Sequence, residues 1–267
     1  MIKLIASDMD GTLLNDRKQL PPDFYETIDQ LEEKGIKFVI SSGRTYNAVE
    51  HLFPEEYRTR LDYICDNGAY IMHDGNPIHI TPLDRATFEE FVRTAEEIGG
   101  FRLLVCAAGG TYHLRASDEF NAEVAKFYKN HIECDDLLAI DDVIYKLAVC
   151  DMQGAQECGK PALDAVFGDR LNIQVSGKIW MDVMAGGVSK GSALKKMSEL
   201  LGIDRSEIMA FGDYYNDTDM LLNAGMSFAM ENGNDYIKSI CTHRALSNNE
   251  SGVTKAIRQH LLNEVTI

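Results

Sequence analysis

The sequence predicts an α/β protein: a doubly wound, mostly parallel, Rossmann-like core with an inserted α/β domain. Three observations lead there. Apolar strand-like runs alternate with helix-period segments at both ends of the chain, acidic clusters directly follow two of those runs, and the middle changes to strands joined by glycine-containing links.

The first segment, Ile2 to Ser7, is an apolar run that reads as a buried strand. Pro21 to Lys34 carries Phe24, Ile28 and Leu31 at helical spacing, Gly35 stops the helix, and Ile36 to Ile40 follows as a second buried strand, which completes a βαβ unit. A short helix over Thr45 to Leu52 and a strand over Tyr63 to Cys65 come next. Ala69 to Met72 and Ile78 to Thr81 then flank an Asp74-Gly75 turn as a hairpin.

From Leu83 to Met184 the rhythm differs. Helices are expected over Thr87 to Ile98, Glu119 to Tyr128 and Gln156 to Val166. Strands are expected over Phe101 to Cys106, Thr111 to Arg115, Ile144 to Cys150, Leu171 to Val175 and Ile179 to Met184. The Gly109-Gly110 and Gly177-Lys178 links indicate antiparallel neighbours. After Gly186-Gly187 the βα alternation resumes with a helix over Ser189 to Leu201 capped by Gly202, and a strand over Ile208 to Phe211. A helix over Asn216 to Ala224, a strand over Ser227 to Met230, a helix over Asp235 to Ile240, a strand over His243 to Leu246 and a helix over Val253 to Leu262 complete the pattern. Residues 1–83 and 185–267 are therefore expected to form the core, and 84–184 the insertion.

Composition limits the function. The chain has 267 residues, 45% hydrophobic and 25% charged, enough for ordinary buried cores without disulfide or metal staples. With 26 basic and 42 acidic residues the formal charge is −16, a field that repels nucleic acid and anionic lipid, so an anionic substrate needs a local cation. The N-terminus has too short an apolar stretch for a signal sequence, and no apolar run approaches the ~18 residues of a membrane span, so a cytoplasmic, membrane-free protein is expected. Cys65, Cys106, Cys134, Cys150, Cys158 and Cys241 form no C-x-x-C pair or Cys/His cluster, and read as free thiols.

The chemistry concentrates in four places. Asp8-Met9-Asp10-Gly11-Thr12 stands at the carboxyl end of the first strand, where ligands bind in open α/β sheets; it can place a nucleophile beside an acid/base, although an isolated D-x-D is more often a solvated acidic loop. Gly212-Asp213-Tyr214-Tyr215-Asn216-Asp217 follows another apolar strand, so Asp213 and Asp217 can join Asp8 and Asp10 at one sheet edge. Like charges about 4 Å apart repel by roughly 4 kcal/mol per pair at an effective dielectric near 20. Such a set calls for a cation, and oxygen-only donors select a hard one, Mg²⁺. Ser42, in Ser41-Ser42-Gly43-Arg44, can donate to an anionic oxygen, or simply belong to a turn. Lys190 opens a helix, where a cation opposes the macrodipole; it serves an anion there, or is solvated behind a capping Ser189.

In the order Asp8/Asp10, Ser42, Lys190, Asp213/Asp217 the chain resembles the haloacid dehalogenase superfamily of phosphotransferases, over its whole length. The insertion resembles the type-2 cap of the Cof-type, sugar-phosphatase-like branch, Asp66-Asn67-Gly68-Ala69 its N-G-A element, and Ala229 to Gly233 and Ser247 to Val253 its C-terminal pattern. The resemblance implies that Asp8 is the nucleophile that becomes an aspartyl phosphate and Asp10 the acid/base. It implies Mg²⁺ held by Asp8, the Asp10 carbonyl and Asp213, with Asp217 supporting the metal's waters. Ser42, Lys190 and Asn216 are implied at the phosphoryl group, and Arg44, Asn67 and Tyr214 beside the substrate. Tyr214 departs from the glycine frequent there. The expected activity is Mg²⁺-dependent hydrolysis of a small phosphorylated, sugar-phosphate-like metabolite. A phosphomutase using the same aspartyl phosphate and a non-catalytic phospho-ligand-binding regulator are the alternatives.

Overall fold

In β1 (Leu4–Asp8) every residue is buried. Leu4 and Ala6 face one apolar layer and Ile5 the opposite one. A parallel strand covered on both faces reads as an unbroken apolar run, which is the pattern seen here. The structure is a computed structural model that describes residues 1–125, 128 and 131–262. The chain divides into two compact units, Met1–His79 with Ser189–Ile267, and Ile80–Val188.

The first unit is built on an eight-stranded sheet of β1, β2 (Lys37–Ser41), β3 (Asp62–Cys65), β4 (Tyr70–His73), β5 (Asn76–Ile80), β12 (Ile208–Gly212), β13 (Met226–Met230) and β14 (His243–Ala245), in the order β14-β13-β12-β1-β2-β3-β4-β5. The pairs from β14 to β3 are parallel, and β4 returns antiparallel to β3. One face is covered by α1 (Phe24–Glu33) and α10 (Gly252–Ile257) through Phe24, Ile28, Leu31, Val253 and Ile257. Leu194, Met220 and Ile237 of α7 (Lys190–Leu201), α8 (Thr218–Leu222) and α9 (Asp235–Ile240) cover the other. Two short helices, α2 (Tyr46–Glu50) and α3 (Glu55–Arg58), link β2 to β3.

The chain leaves β1 for β2 on one side and returns to β12 on the other, so β1 borders the topological switch. Register sets the ends level: Ser7 pairs with Phe211, and Asp8 with Ser41. A crevice at those carboxyl ends is where an open α/β sheet binds ligands.

The second unit has a six-stranded sheet of β6 (Phe101–Ala107), β7 (Gly110–Leu114), β8 (His131–Cys134), β9 (Ile144–Asp151), β10 (Leu171–Val175) and β11 (Trp180–Ala185), ordered β10-β11-β9-β6-β7-β8. Both glycine-containing links join antiparallel neighbours, β6 with β7 and β10 with β11. Phe88 and Phe91 of α4 (Arg85–Ile98) and Leu163 and Phe167 of α6 (Lys160–Phe167) pack on one face, and Val124 of α5 (Asp118–Ala125) on the other.

Two local differences from expectation have physical causes. Strand β8 is unanticipated, because His131-Ile-Glu-Cys134 has one aliphatic residue and pairs only at an edge, parallel to β7. The helix expected over Asn216 to Ala224 splits into a 3-10 turn, Tyr215–Asp217, and α8, because Asp217 turns its side chain back onto the chain. Of the helix expected over Glu119 to Tyr128, residues 126 and 127 lie outside the described residues. No helix among the described residues is long and apolar enough to cross a membrane.

Candidate active site

Lys190 is the first residue of α7, whose start is fixed by Ser189: its hydroxyl accepts from the Ser192 N–H at 3.0 Å. The turn Asp66–Gly68 lies against this helix end. Gly68 has φ +108°, and a Cβ there would fall 2.2 Å from the Ser189 carbonyl oxygen, so only glycine permits the approach. Lys190, wholly buried, donates from Nζ to Asp8 Oδ1 at 2.5 Å and to Asp217 Oδ1 at 2.7 Å. The cost of a cation at a helix N-terminus is thus offset by two carboxylates.

Asp217 spends its other oxygen on its own loop, accepting from the N–H groups of Asp213 and Tyr214, each at 3.1 Å. Asp213 receives the Thr12 hydroxyl at 2.8 Å. A Cβ on Gly11, at φ +93°, would sit 2.5 Å from Asp213 Oδ2, so glycine lets the first loop close on the second. Asp8, Asp213 and Asp217 each offer a carboxylate oxygen, all within 4.8 Å of one another.

The electrostatics of this cluster are unbalanced. With all three carboxylates ionised, they and the one ammonium leave a surplus of two negative charges, which one divalent cation would balance. Burial, reinforced by the charges of Asp217 and Asp213, pushes the Asp8 carboxyl up to about 8 against the pull of Lys190. Burial also raises the Asp213 carboxyl, with the charge of Asp217 adding to it, against the hydrogen bond from Thr12 and the charge of Lys190. For Lys190 burial opposes the charge, but Asp217 and Asp8 outweigh it and hold the ammonium's pKa above its ordinary value. The all-oxygen donor set suits a hard metal ion.

Asp10 points to different partners. Arg44 grips it with Nε on Oδ2 at 2.9 Å and Nη2 on Oδ1 at 2.7 Å, and Lys18 adds Nζ at 2.7 Å. Burial alone would raise this carboxyl, yet the hydrogen bonds from Lys18 and Arg44 prevail and hold it below the usual range. Asp10 therefore stands as a carboxylate, the base form. Ser42 is buried at the end of β2, and its Oγ accepts from the Arg44 N–H at 3.1 Å, keeping its own proton to donate. Asn67, in the left-handed region at φ 52°, sits beside Gly43 and donates its N–H to the Ser42 carbonyl at 3.1 Å. Among the described residues, Asn216 joins the network only through the chain, as an exposed member of the turn, and Tyr214 is 60% exposed.

Four contributors escaped the sequence reading. Lys18 has no local signal, being one more charge in a polar loop. Thr12 lies inside the first motif, but nothing marks its bond to Asp213. Asn232 and Asn248 stand in the C-terminal pattern without a role; in the structure Asn232 donates to the Gly11 carbonyl at 2.7 Å and accepts from the Asn248 N–H at 2.9 Å, while Asn248 donates to the Leu14 carbonyl at 3.0 Å. Together they brace the loop that carries Asp10.

Comparison with known proteins agrees with this arrangement. The chain is 32% identical over 268 residues to the 5-amino-6-(5-phospho-D-ribitylamino)uracil phosphatase YbjI of Escherichia coli, covering 98% of this chain and 97% of the relative. It is 27% identical to the Bacillus subtilis enzyme of the same name, YitU, covering 96% of this chain and 97% of that one. A haloacid dehalogenase-like hydrolase from Bacteroides thetaiotaomicron, of known structure, superposes with a TM-score of 0.83 at 25% identity, covering 97% of this chain and 99% of that one. The sequence profile of the haloacid dehalogenase-like hydrolases matches residues 5–257, so the chain belongs to that family, and it is a phosphatase.

Proposed function

We propose that the protein is a Mg²⁺-dependent phosphomonoester hydrolase that works through an aspartyl phosphate on Asp8. The observation that carries this reading is the buried Lys190 ammonium, 2.5 Å from Asp8 and 2.7 Å from Asp217, in a cluster whose net charge calls for a divalent cation. Asp8, Asp213 and the Asp10 carbonyl would hold Mg²⁺, with Asp217 orienting its surroundings. When bound, the ion neutralises charge on the phosphoryl oxygens and on the carboxylates around them.

The chain's own groups supply the rest. In the first half-reaction an Asp8 oxygen forms a bond to phosphorus as the ester P–O bond breaks, and the departing oxygen takes a proton from Asp10. In the second, Asp10 removes a proton from water, whose oxygen attacks phosphorus and frees inorganic phosphate and the Asp8 carboxylate. Lys190 and the Ser42 hydroxyl balance and orient the equatorial oxygens. The ion pairs of Asp10 with Arg44 and Lys18 favour the form needed in the second half, so the first half requires those contacts to loosen. The inserted unit, residues 84–184, acts as the specificity-setting cap.

The substrate class is a small phosphorylated polyol or sugar-like metabolite, supported by the relatives named as phosphatases of 5-amino-6-(5-phospho-D-ribitylamino)uracil. A panel of such esters, including that compound, assayed for stoichiometric phosphate release with Mg²⁺ tests the reading. Release in excess chelator, or phosphoryl transfer to a second hydroxyl without free phosphate, overturns it.

A further inference from the structure

Three tyrosines stand in an exposed series beside Asp213. Tyr214 follows Asp213 directly, and its ring meets that of Tyr215 edge to face, with centroids 5.1 Å apart. Tyr215 in turn stacks on Tyr236 of α9 at 5.6 Å and an interplanar angle of 29°. The start of α9 is tied to the same place: the Asn234 N–H donates to the Asp213 carbonyl at 3.1 Å. The three residues keep 60%, 57% and 45% of their surface open.

A single exposed aromatic residue needs no explanation, but three in consecutive contact, the first following Asp213 of the carboxylate cluster, form an apolar patch of the kind that marks a binding site. Its chemistry is selective. Phenol rings add no charge next to a cluster already short of cations, and they offer broad π-faces. A leaving group made only of hydroxyls is gripped by amides, carboxylates and guanidinium groups, whereas a flat heterocycle is gripped by stacking.

We propose that Tyr214, Tyr215 and Tyr236 form a stacking surface that selects phosphomonoesters whose leaving group carries a planar heteroaromatic ring. The inference rests on the hydrolase reading above and names the residues that give it specificity. Binding energy from a ring remote from phosphorus contributes to turnover as well as to affinity when it fixes the ester's orientation.

The test uses the full chain with Mg²⁺ and two matched pairs of esters: uridine 5′-monophosphate against ribose 5-phosphate, and riboflavin 5′-phosphate against ribitol 5-phosphate. Within each pair the phosphate is carried alike and only the ring differs. The ring-bearing member is expected to have the higher kcat/KM, by about 10-fold or more. Tyr214→Ala, Tyr215→Ala and Tyr236→Ala should each bring that ratio toward one, and Tyr214→Phe should largely retain it. Equal kcat/KM within both pairs overturns the inference, as does a ratio that the alanine variants leave intact. So does sedimentation as a dimer that Tyr215→Ala dissociates with no change in the ratio, an outcome that gives the patch to a second copy. Phosphoryl-enzyme formed from acetyl phosphate without release from either pair overturns the inference alone. Absence of any phosphoryl-enzyme overturns the hydrolase reading beneath it.

Discussion

Asp8, Asp213 and Asp217 surround Lys190 at the carboxyl ends of β1 and β12, whereas Asp62, His73 and Asp74 lie beside Lys37 around the hairpin turn after β4. Both sets place three ligating atoms within 4.8 Å of one another. In the second set each carboxylate has close hydrogen-bonding partners. His73 bridges the two aspartates, Nδ1 to Asp62 at 2.9 Å and Nε2 to Asp74 at 3.3 Å, the Asp74 N–H reaches Asp62 at 3.1 Å, and Lys37 holds Asp74 at 2.6 Å. Lys37 is 39% and Asp74 56% exposed, so water screens the pair. In the first set the lysine is sealed from water and outnumbered. Ligand types and spacing alone do not distinguish a reacting centre from a structural clasp. Under the proposed hydrolase reading, surplus buried charge at a topological switch does.

The sharpest way to break this comparison is to remove the cation. Chelation is expected to abolish phosphate release and Mg²⁺ to restore it, with half-saturation by Mg²⁺ raised in Asp213→Asn and unmoved in His73→Gln. Asp8→Asn should lose activity by ~10³-fold or more and form no hydroxylamine-sensitive phosphoryl label. Asp10→Asn should lose ~10²–10⁴-fold in kcat, the usual worth of a positioned acid/base. Near-normal turnover in Asp8→Asn would mean that water attacks phosphorus directly, and the first cluster would then be no more than an anion-binding shell.

How far such a contrast is legible in the sequence depends on the range of the forces that create it. The strands of the central sheet are readable because burial on both faces leaves unbroken apolar runs, as in Ile36 to Ile40. The meeting of Asp8 with Asp213 and Asp217 is readable for the same reason: each acidic group directly follows such a run, and parallel register brings the ends level. The grip of Arg44 and Lys18 on Asp10 is not readable. It depends on a loop in which Lys18 adopts φ +60°, and on a guanidinium 34 residues along the chain. Nor does Asn216-Asp217 announce a 3-10 turn, because the cause is a side chain folding back onto two N–H groups of its own loop.

A smaller effect sharpens the contrast through pH. The Asp8 carboxyl is raised from 3.8 to about 8, so without metal the folded state holds more protons than the unfolded state across that interval. The contribution of Asp8 to stability then falls as pH rises from about 4 to 8. A divalent cation removes this penalty, so the gain in Tm from Mg²⁺ should be larger at pH 8 than at pH 5. Asp8→Asn should raise the metal-free Tm at pH 8 and reduce the pH dependence of the gain. A Tm gain of equal size at both values would mean that the ion binds elsewhere.

The smallest expected effect on catalysis belongs to the second cluster. Asp62 is fully buried and accepts from both the His73 ring and the Asp74 N–H, so Asp62→Asn keeps the shape but weakens two charge-assisted bonds across the β3–β4 edge. Their loss costs about 1–2 kcal/mol, a fall in Tm of about 2–8 °C for a chain of this size. Asp62 opens β3 and pairs with Val39, two residues short of Ser41, the strand residue level with Asp8, so the change leaves the carboxylate–lysine cluster in place. Thermal melts and kcat/KM measured on one preparation should therefore separate: Tm lower, kcat/KM within about 2-fold, Mg²⁺ half-saturation unchanged. A shift in metal dependence instead, with Tm unaltered, would mean that the clasp also binds the ion, and that surplus charge does not mark the reacting centre.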